Sequence, residues 1–133
     1  MAPRLTIIAF RVVGIPMPIE NALASVAVED LDAAVKWYER IFNKPPLRPM
    51  PEVAEWSFER GGCLQVYQLS ERAGHGSFTL TVSSIDEQVA RLAKLNIDTS
   101  KRTSSDRVKT LMVIDPDGNH IAFAEAIDQS LAH

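Results

Sequence analysis

Cysteine is almost missing from this chain of 133 residues: Cys63 is the only one. One thiol closes no intramolecular disulfide and supplies by itself no zinc or dithiol pair, so a disulfide-stapled secreted scaffold is excluded and the chain reads as cytoplasmic. An excess of positive charge is missing too. The 14 Lys plus Arg stand against 17 Asp plus Glu, a formal charge of −3, and the cations are scattered. The electrostatic footprint with which a nucleic-acid binder neutralises several phosphates is therefore absent, and no nucleic acid is expected as a partner. Nor is there a long apolar run. The stretch Leu5 to Ile15 is interrupted by Arg11 and is too short to span a bilayer, so no membrane is expected either. A secretory signal would want an unbroken apolar run before a small-residue cleavage site, and the nearest such site, Ala22 to Ser25, falls in a predicted strand. Residues 1–20 read instead as an N-terminal arm, an extra strand or interface piece ended by Pro16 and Pro18, which cannot donate to a sheet ladder. Also lacking are a glycine loop that could cradle phosphate, a nucleophile elbow, and any credible Ser, His and Asp spacing.

What is present is the composition of an ordinary globular domain, 46% hydrophobic and 23% charged, and one domain over residues 1–133 is expected. Its organising feature is an internal echo. The segment Ala24 to Val35 (ASVAVEDLDAAV) runs parallel to Phe78 to Val89 (FTLTVSSIDEQV) at an offset of 54 positions. Each copy is a strand feeding a helix. Ala24, Val26 and Val28 alternate with Ser25 and Ala27, and Phe78, Leu80 and Val82 alternate with Thr79 and Thr81. Each strand thus has one apolar face for a helix and one face of small, mostly polar side chains that looks onto something roomier. Asp30 and Ser84 stand at N-cap positions, with Glu87 completing a capping box. Leu31, Ala34, Val35, Tyr38, Ile41 and Phe42 form one helical stripe, and Ile85, Val89, Leu92 and Leu95 form the other. Asn43 and Asn96 close the helices as residues that tolerate a left-handed backbone.

Further strands follow each helix. In the first half, Pro45, Pro46, Pro49 and Pro51 break the connection, and Ala54 to Glu59 and Cys63 to Leu69 form a hairpin about Arg60-Gly61-Gly62. In the second half, Ile97 to Thr99 reads as a short strand and Ser100 to Arg107 as a polar loop. Lys109 to Ile114 and His120 to Glu125 then flank the turn Asp115-Pro116-Asp117-Gly118-Asn119, whose chemistry accounts for both aspartates. The fold class is α+β, a βαβββ module used twice, over about residues 22–70 and 76–126.

The paired modules, the junctions VEDLDAAVKWYERIF and VSSIDEQVARLAKLNI, and the late segment DPDGNHIAFAE together resemble the vicinal oxygen chelate superfamily of type I glyoxalases, extradiol dioxygenases and bleomycin resistance proteins. The resemblance spans about Ala22 to Glu125. It implies curved sheets whose concave faces form a cup, with helices outside, and a homodimer in which Trp37 and the N-terminal arm could be interface pieces. It also implies four metal-ligand positions in the cup, normally His and Glu. Here they fall on Leu23, Gln65, Ser77 and Ala122. None is a His or carboxylate, and neither leucine nor alanine has a lone pair to offer, so no metal and no other cofactor is expected.

Candidate ligand-binding residues follow from strand parity: Ser25, Gln65, Tyr67, Ser77, Thr79, His120 and Ala122, with Trp56 and Phe58 offering aromatic faces to a planar ligand. His120 is the catalytic candidate, since an imidazole at a pocket rim can carry a proton at neutral pH. His75, between Gly74 and Gly76, reads as a loop histidine, Cys63 as a small hydrophobe, and Lys101, Arg102, Arg107 and Lys109 as a solvated basic stretch. The function expected is a metal-free small-molecule binding or sequestering protein. The alternative is a lyase, isomerase or dioxygenase-type enzyme, metal-dependent through ligands one or two residues away, or metal-free through His120.

Overall fold

Alternation over Leu23–Val28 makes strand β1, and Asp30 turns it into a helix. Asp30 keeps an extended backbone, φ −132° and ψ 109°, while its carboxylate accepts from the Ala33 N–H at 3.2 Å. Helix α1, Leu31–Phe42, buries Leu31, Ala34, Val35, Tyr38 and Ile41 along one stripe, the spacing that faces a 3.6-residue helix to a core. It stops at Asn43, whose φ of 55° is left-handed and whose N–H returns to the Glu39 carbonyl. The computed structural model describes residues 18–127, so most of the expected N-terminal arm lies outside the described residues.

The first module continues with β2 (Leu47–Met50), β3 (Val53–Ser57) and β4 (Cys63–Gln68). A 3-10 turn at Ser70–Arg72 leads to β5 (Ser77–Thr81), α2 (Ile85–Lys94), β6 (Arg102–Ser104), β7 (Val108–Ile114) and β8 (His120–Ala126). The result is the expected βαβββ unit twice, each in a four-stranded mixed sheet ordered β1-β4-β3-β2 or β5-β8-β7-β6. In each sheet the first strand runs parallel to the last of its module and the others pair antiparallel. The two sheets approach each other along β1 and β5. One apolar cluster, including Val26, Tyr38, Trp56, Leu64, Phe78, Leu92, Leu111 and Phe123, joins both sheets to both helices.

Two segments differ from expectation. Leu47–Met50 is a strand although Pro49 lies in it, because β2 is the edge of its sheet and a missing N–H there breaks no ladder. Ile97 to Thr99 is not a strand. Ile97 is used to end α2: its N–H reaches the Leu92 carbonyl at 3.1 Å, Asn96 donates to Ala93 at 3.0 Å, and Asn96 sits at φ 61°. These two bonds are the paired closure of a Schellman motif. The strand forms instead at Arg102–Ser104, within the expected loop, where it pairs with Leu111 to Lys109.

The modules are locked together by the turn that follows β7. Asp115, 3% exposed, does more than cap its own loop. Its Oδ1 accepts from the N–H groups of Asp117, Gly118 and Asn119 at 3.0, 2.9 and 2.8 Å. Its Oδ2 accepts from the Tyr38 hydroxyl of α1 at 2.7 Å and from Asn119 Nδ2 at 2.9 Å. Asn119, fully buried, also donates to the Ala27 carbonyl at 2.8 Å and accepts from Gly76 N at 2.9 Å, and Asp117 accepts from Glu29 N at 3.1 Å. The linker presses on this turn so closely that a Cβ at Gly74 would lie 2.2 Å from the Asp117 carbonyl oxygen.

Asn119→Ala would orphan the buried Ala27 carbonyl and the half-buried Gly76 N–H and take from Asp115 Oδ2 one of its two donors. A loss of about 2–4 kcal/mol is expected, measured by urea denaturation; an unchanged midpoint would refute the lock. The Tyr38 hydroxyl is held far above its ordinary range, by burial first and by the Asp115 charge second. Below about pH 10 both folded and unfolded chains keep that proton; above it only the unfolded chain releases it, so stability falls as pH rises. In Tyr67→Phe, which leaves Tyr38 as the one tyrosine, tyrosinate absorbance should appear only together with loss of far-UV dichroism.

Candidate functional site

The strand faces turned away from the helices carry most of the residues predicted to bind a ligand. In the first sheet Ser25, Gln65 and Glu55 stand side by side on β1, β4 and β3. They are linked: Ser25 Oγ donates to Gln65 Oε1 at 3.2 Å, and Gln65 Nε2 donates to Glu55 Oε2 at 2.6 Å. The second bond ends on a carboxylate and is short, the mark of a charge-assisted contact. It fixes which end of the Gln65 amide faces Ser25. One row along, Tyr67 stands between Ala27 and Val53, and one row the other way Cys63, half-buried, stands between Leu23 and Ser57.

Glu55 is the member of this row that sequence reasoning missed. The alternation of Ala54 and Trp56, both buried, against half-exposed Glu55 is the signal that could have found it. Parity also settles Trp56, which lies in the core and not on the open face. It is 1% exposed, its indole N–H donates to the Lys44 carbonyl at 2.9 Å, and its ring lies 5.4 Å from Phe42 and 5.8 Å from Tyr38. Phe58 is likewise packed against Phe42, with ring centroids 5.3 Å apart.

In the second sheet the corresponding face is uncharged and small. Ser77 pairs with His120, Thr79 with Ala122 and Thr81 with Ala124, while Met112 and Thr110 lie beyond on β7. Thr110 hydrogen-bonds Thr103 of β6. Ser77, Thr79 and His120 are exposed, and Ala122 is half-buried. His75 is an exposed loop residue. In the basic stretch Lys101 meets Asp98 at 3.6 Å and Lys109 meets Asp86 at 3.5 Å, so two of its four cations already face carboxylates. No hydrogen bond among the described residues joins the Ser25 row to the His120 strand.

Pairing register makes Leu23 and Ser77 equivalent in the two modules, and likewise Gln65 and Ala122. The four positions named for a metal therefore form two symmetric pairs. Only an amide and a hydroxyl among them have lone pairs, and the amide is committed to Ser25 and Glu55. That set does not fit a divalent transition ion, which wants imidazole, thiolate or carboxylate. Among the described residues no group of three or more His, Cys, Asp or Glu is placed to hold one. Around the same face stand exposed apolar side chains: Leu23 at 49%, Leu47 at 70%, Met50 at 55% and Ile114 at 42% exposure. No helix among the described residues is long and apolar enough to cross a membrane.

No protein-family model and no curated protein matches the sequence. Solved structures do. A glyoxalase/bleomycin resistance protein from Catenulispora acidiphila is 32% identical, over 80% of this chain and 97% of that one, with a TM-score of 0.73. An antibiotic binding protein from Streptomyces sp. CB03234 superposes with a TM-score of 0.72 at 21% identity, over 84% and 99% of the two chains. A lactoylglutathione lyase from Agrobacterium tumefaciens gives 0.67 at 18% identity, over 83% and 95%. The last two share the fold; the first, with its identity over nearly its whole length, joins the doubled βαβββ topology in showing that the chain belongs to the glyoxalase/bleomycin resistance protein family.

Proposed function

We propose that the protein binds a small organic molecule on the helix-free face and sequesters it, using hydrogen bonds and apolar contact where metal-using relatives of the superfamily use an ion. The observation that carries this reading is the pairing of two facts about one face. The positions that the superfamily resemblance assigns to metal ligands hold Leu23, Gln65, Ser77 and Ala122, yet the row Ser25, Gln65 and Glu55 keeps directional polar groups, two of them half-buried. A pocket with few placed polar groups among apolar walls is the usual form of a small-molecule site. Likeness in fold to an antibiotic binding protein agrees with it. Tyr67, Thr79 and His120 would supply the remaining polar contacts.

The exposed rim of Leu23, Leu47, Met50 and Ile114 supports a homodimer in which a second copy walls the face, since apolar patches of this kind mark interaction sites.

Equilibrium dialysis against Zn²⁺, Ni²⁺ and Mn²⁺ should give no stoichiometric uptake, and one tightly held equivalent of any of them would overturn the metal-free reading. With an antibiotic as ligand, Gln65→Ala should weaken affinity by roughly ten-fold, about the worth of one hydrogen bond, since it also releases Ser25 and Glu55 from their fixed orientation. Light scattering at micromolar concentration should return twice the chain mass of 14.7 kDa; a monomer would remove the second copy from the account.

A further inference from the structure

The tight turns that precede β4 and β8 are built alike. Phe58 N donates to the Gly62 carbonyl at 2.8 Å and Gly61 N to Phe58 at 3.1 Å; Asp115 N donates to Asn119 at 2.9 Å and Gly118 N to Asp115 at 3.0 Å. Gly61 at φ 101° and Gly118 at φ 105° hold the same left-handed place. Because Cys63 pairs with Leu23 as His120 pairs with Ser77, Phe58 corresponds to Asp115 and Gly62 to Asn119. Through the sequence echo, Leu92 corresponds to Tyr38 and Thr81 to Ala27.

The side chains at these matched places differ in kind. At the second turn the wedge between helix and strand edge is filled by Asp115, Asn119 and Tyr38, with Asn119 capping the Ala27 carbonyl. At the first turn Gly62 has no side chain with which to cap Thr81, and Phe58 and Leu92 offer no hydrogen bond. A cavity of about 580 Å³ opens there, inside the range of roughly 300–1,000 Å³ that small-molecule sites occupy. It lies among residues of both helices and along the edge of β5 that carries no strand, where Thr79 and Thr81 line it beside Leu80 and Val82.

Its apolar wall is Ile41, Phe42, Phe58, Leu80, Val82 and Phe123. Its charged groups are Arg91 of α2, Lys44 just beyond α1, and Glu59 of the hairpin. Arg91 Nε and Nη2 both donate to Gln88 Oε1, at 3.2 and 2.7 Å. Among the described residues no carboxylate lies within ion-pair distance of Arg91. Partial burial disfavours its charge, the direction expected of a cation that has lost water without gaining an anion. Lys44 donates to the Ser57 carbonyl and stands 5.7 Å from the Phe58 ring centroid.

We propose that this cavity is a second ligand site, distinct from the row Ser25, Gln65 and Glu55 and sharing with the helix-free face the edge residue Thr79, for an amphipathic monoanion with a flat apolar body. The body packs against Phe42, Phe58 and Leu80, and a carboxylate or sulfonate pairs with the Arg91 guanidinium. Two cations against one carboxylate leave a single positive charge to answer, which favours a monoanion over a phosphate dianion.

The probe is 8-anilinonaphthalene-1-sulfonate, a flat aromatic monoanion, titrated by fluorescence into the intact protein, with N-phenyl-1-naphthylamine as its uncharged counterpart. Arg91→Gln should weaken the sulfonate by roughly ten-fold and leave the uncharged dye unmoved. Gly62→Leu should exclude both dyes: a Cβ there meets no atom within 4 Å and the residue's φ is not left-handed, so the fold tolerates it, as far-UV dichroism will check. Ala122→Phe, which crowds the opposite face, should change neither. Loss of binding on Ala122→Phe with retention on Gly62→Leu would move the dye to the helix-free face and overturn the proposal. Indifference to both Arg91→Gln and Gly62→Leu would reduce it to adventitious binding and overturn it equally.

Discussion

A carboxylate taken out of water must be repaid in hydrogen bonds, and Asp115 receives five of them from two elements of the fold. Removing an ion from solvent is unfavourable by several kcal/mol unless its lone pairs are satisfied. The surroundings of Asp115 are therefore fixed in position: the turn that donates three N–H groups, the Tyr38 hydroxyl at the back of α1, and the Asn119 amide that reaches across to β1. Because these donors come from the turn and from α1, and Asn119 also holds the Ala27 carbonyl of β1, satisfying this one group sets how the second module stands against the first. Apolar packing then fills the space the network defines, with Phe78 tilted against the Tyr38 ring at 6.5 Å. A polar centre of this sort specifies one arrangement more sharply than apolar contact does, since partial satisfaction is worse than none.

The same constraint explains why the two halves share a backbone and not a chemistry. The two turns have matching hydrogen bonds and matching glycines, so either could have carried the buried acid. One does, and is closed. The other has Phe58 and Gly62 in the matched places, which makes the wedge apolar and leaves it open. The open faces of the sheets diverge in the same way: Ser25, Gln65 and Glu55 form a hydrogen-bonded row in one half, while Thr79, Ala122 and Met112 occupy its place in the other. The symmetry of the strands thus holds where it supports the core and fails at the places proposed to meet a ligand.

Local signals in the chain were enough for most of the scaffold. The caps Asp30 and Ser84, the stops Asn43 and Asn96, and the apolar stripes of both helices are short-range features, decided within one or two helical turns, and each is found where it was expected. The failures are equally physical. Ile97 looked like a strand residue because an apolar side chain after a helix can serve either a strand or the helix stop, and only the Leu92 carbonyl at 3.1 Å decides between them. Pro49 looked like a break because its position at a sheet edge is a property of the whole sheet. Trp56 looked like a ligand platform because alternation gives two faces without saying which one is covered.

What the sequence determined by itself is the doubled strand-and-helix unit, for it depends on residue identity and on periodicities of two and 3.6 residues. What only the tertiary structure decided is which distant groups meet. Asp115 finding Tyr38, Gln65 finding Glu55, and Gly62 leaving a hollow beside Arg91 all join positions far apart in the chain. Pairing register and helix docking create those meetings, and neither is written in any local stretch, because the energy that selects them belongs to the packed whole.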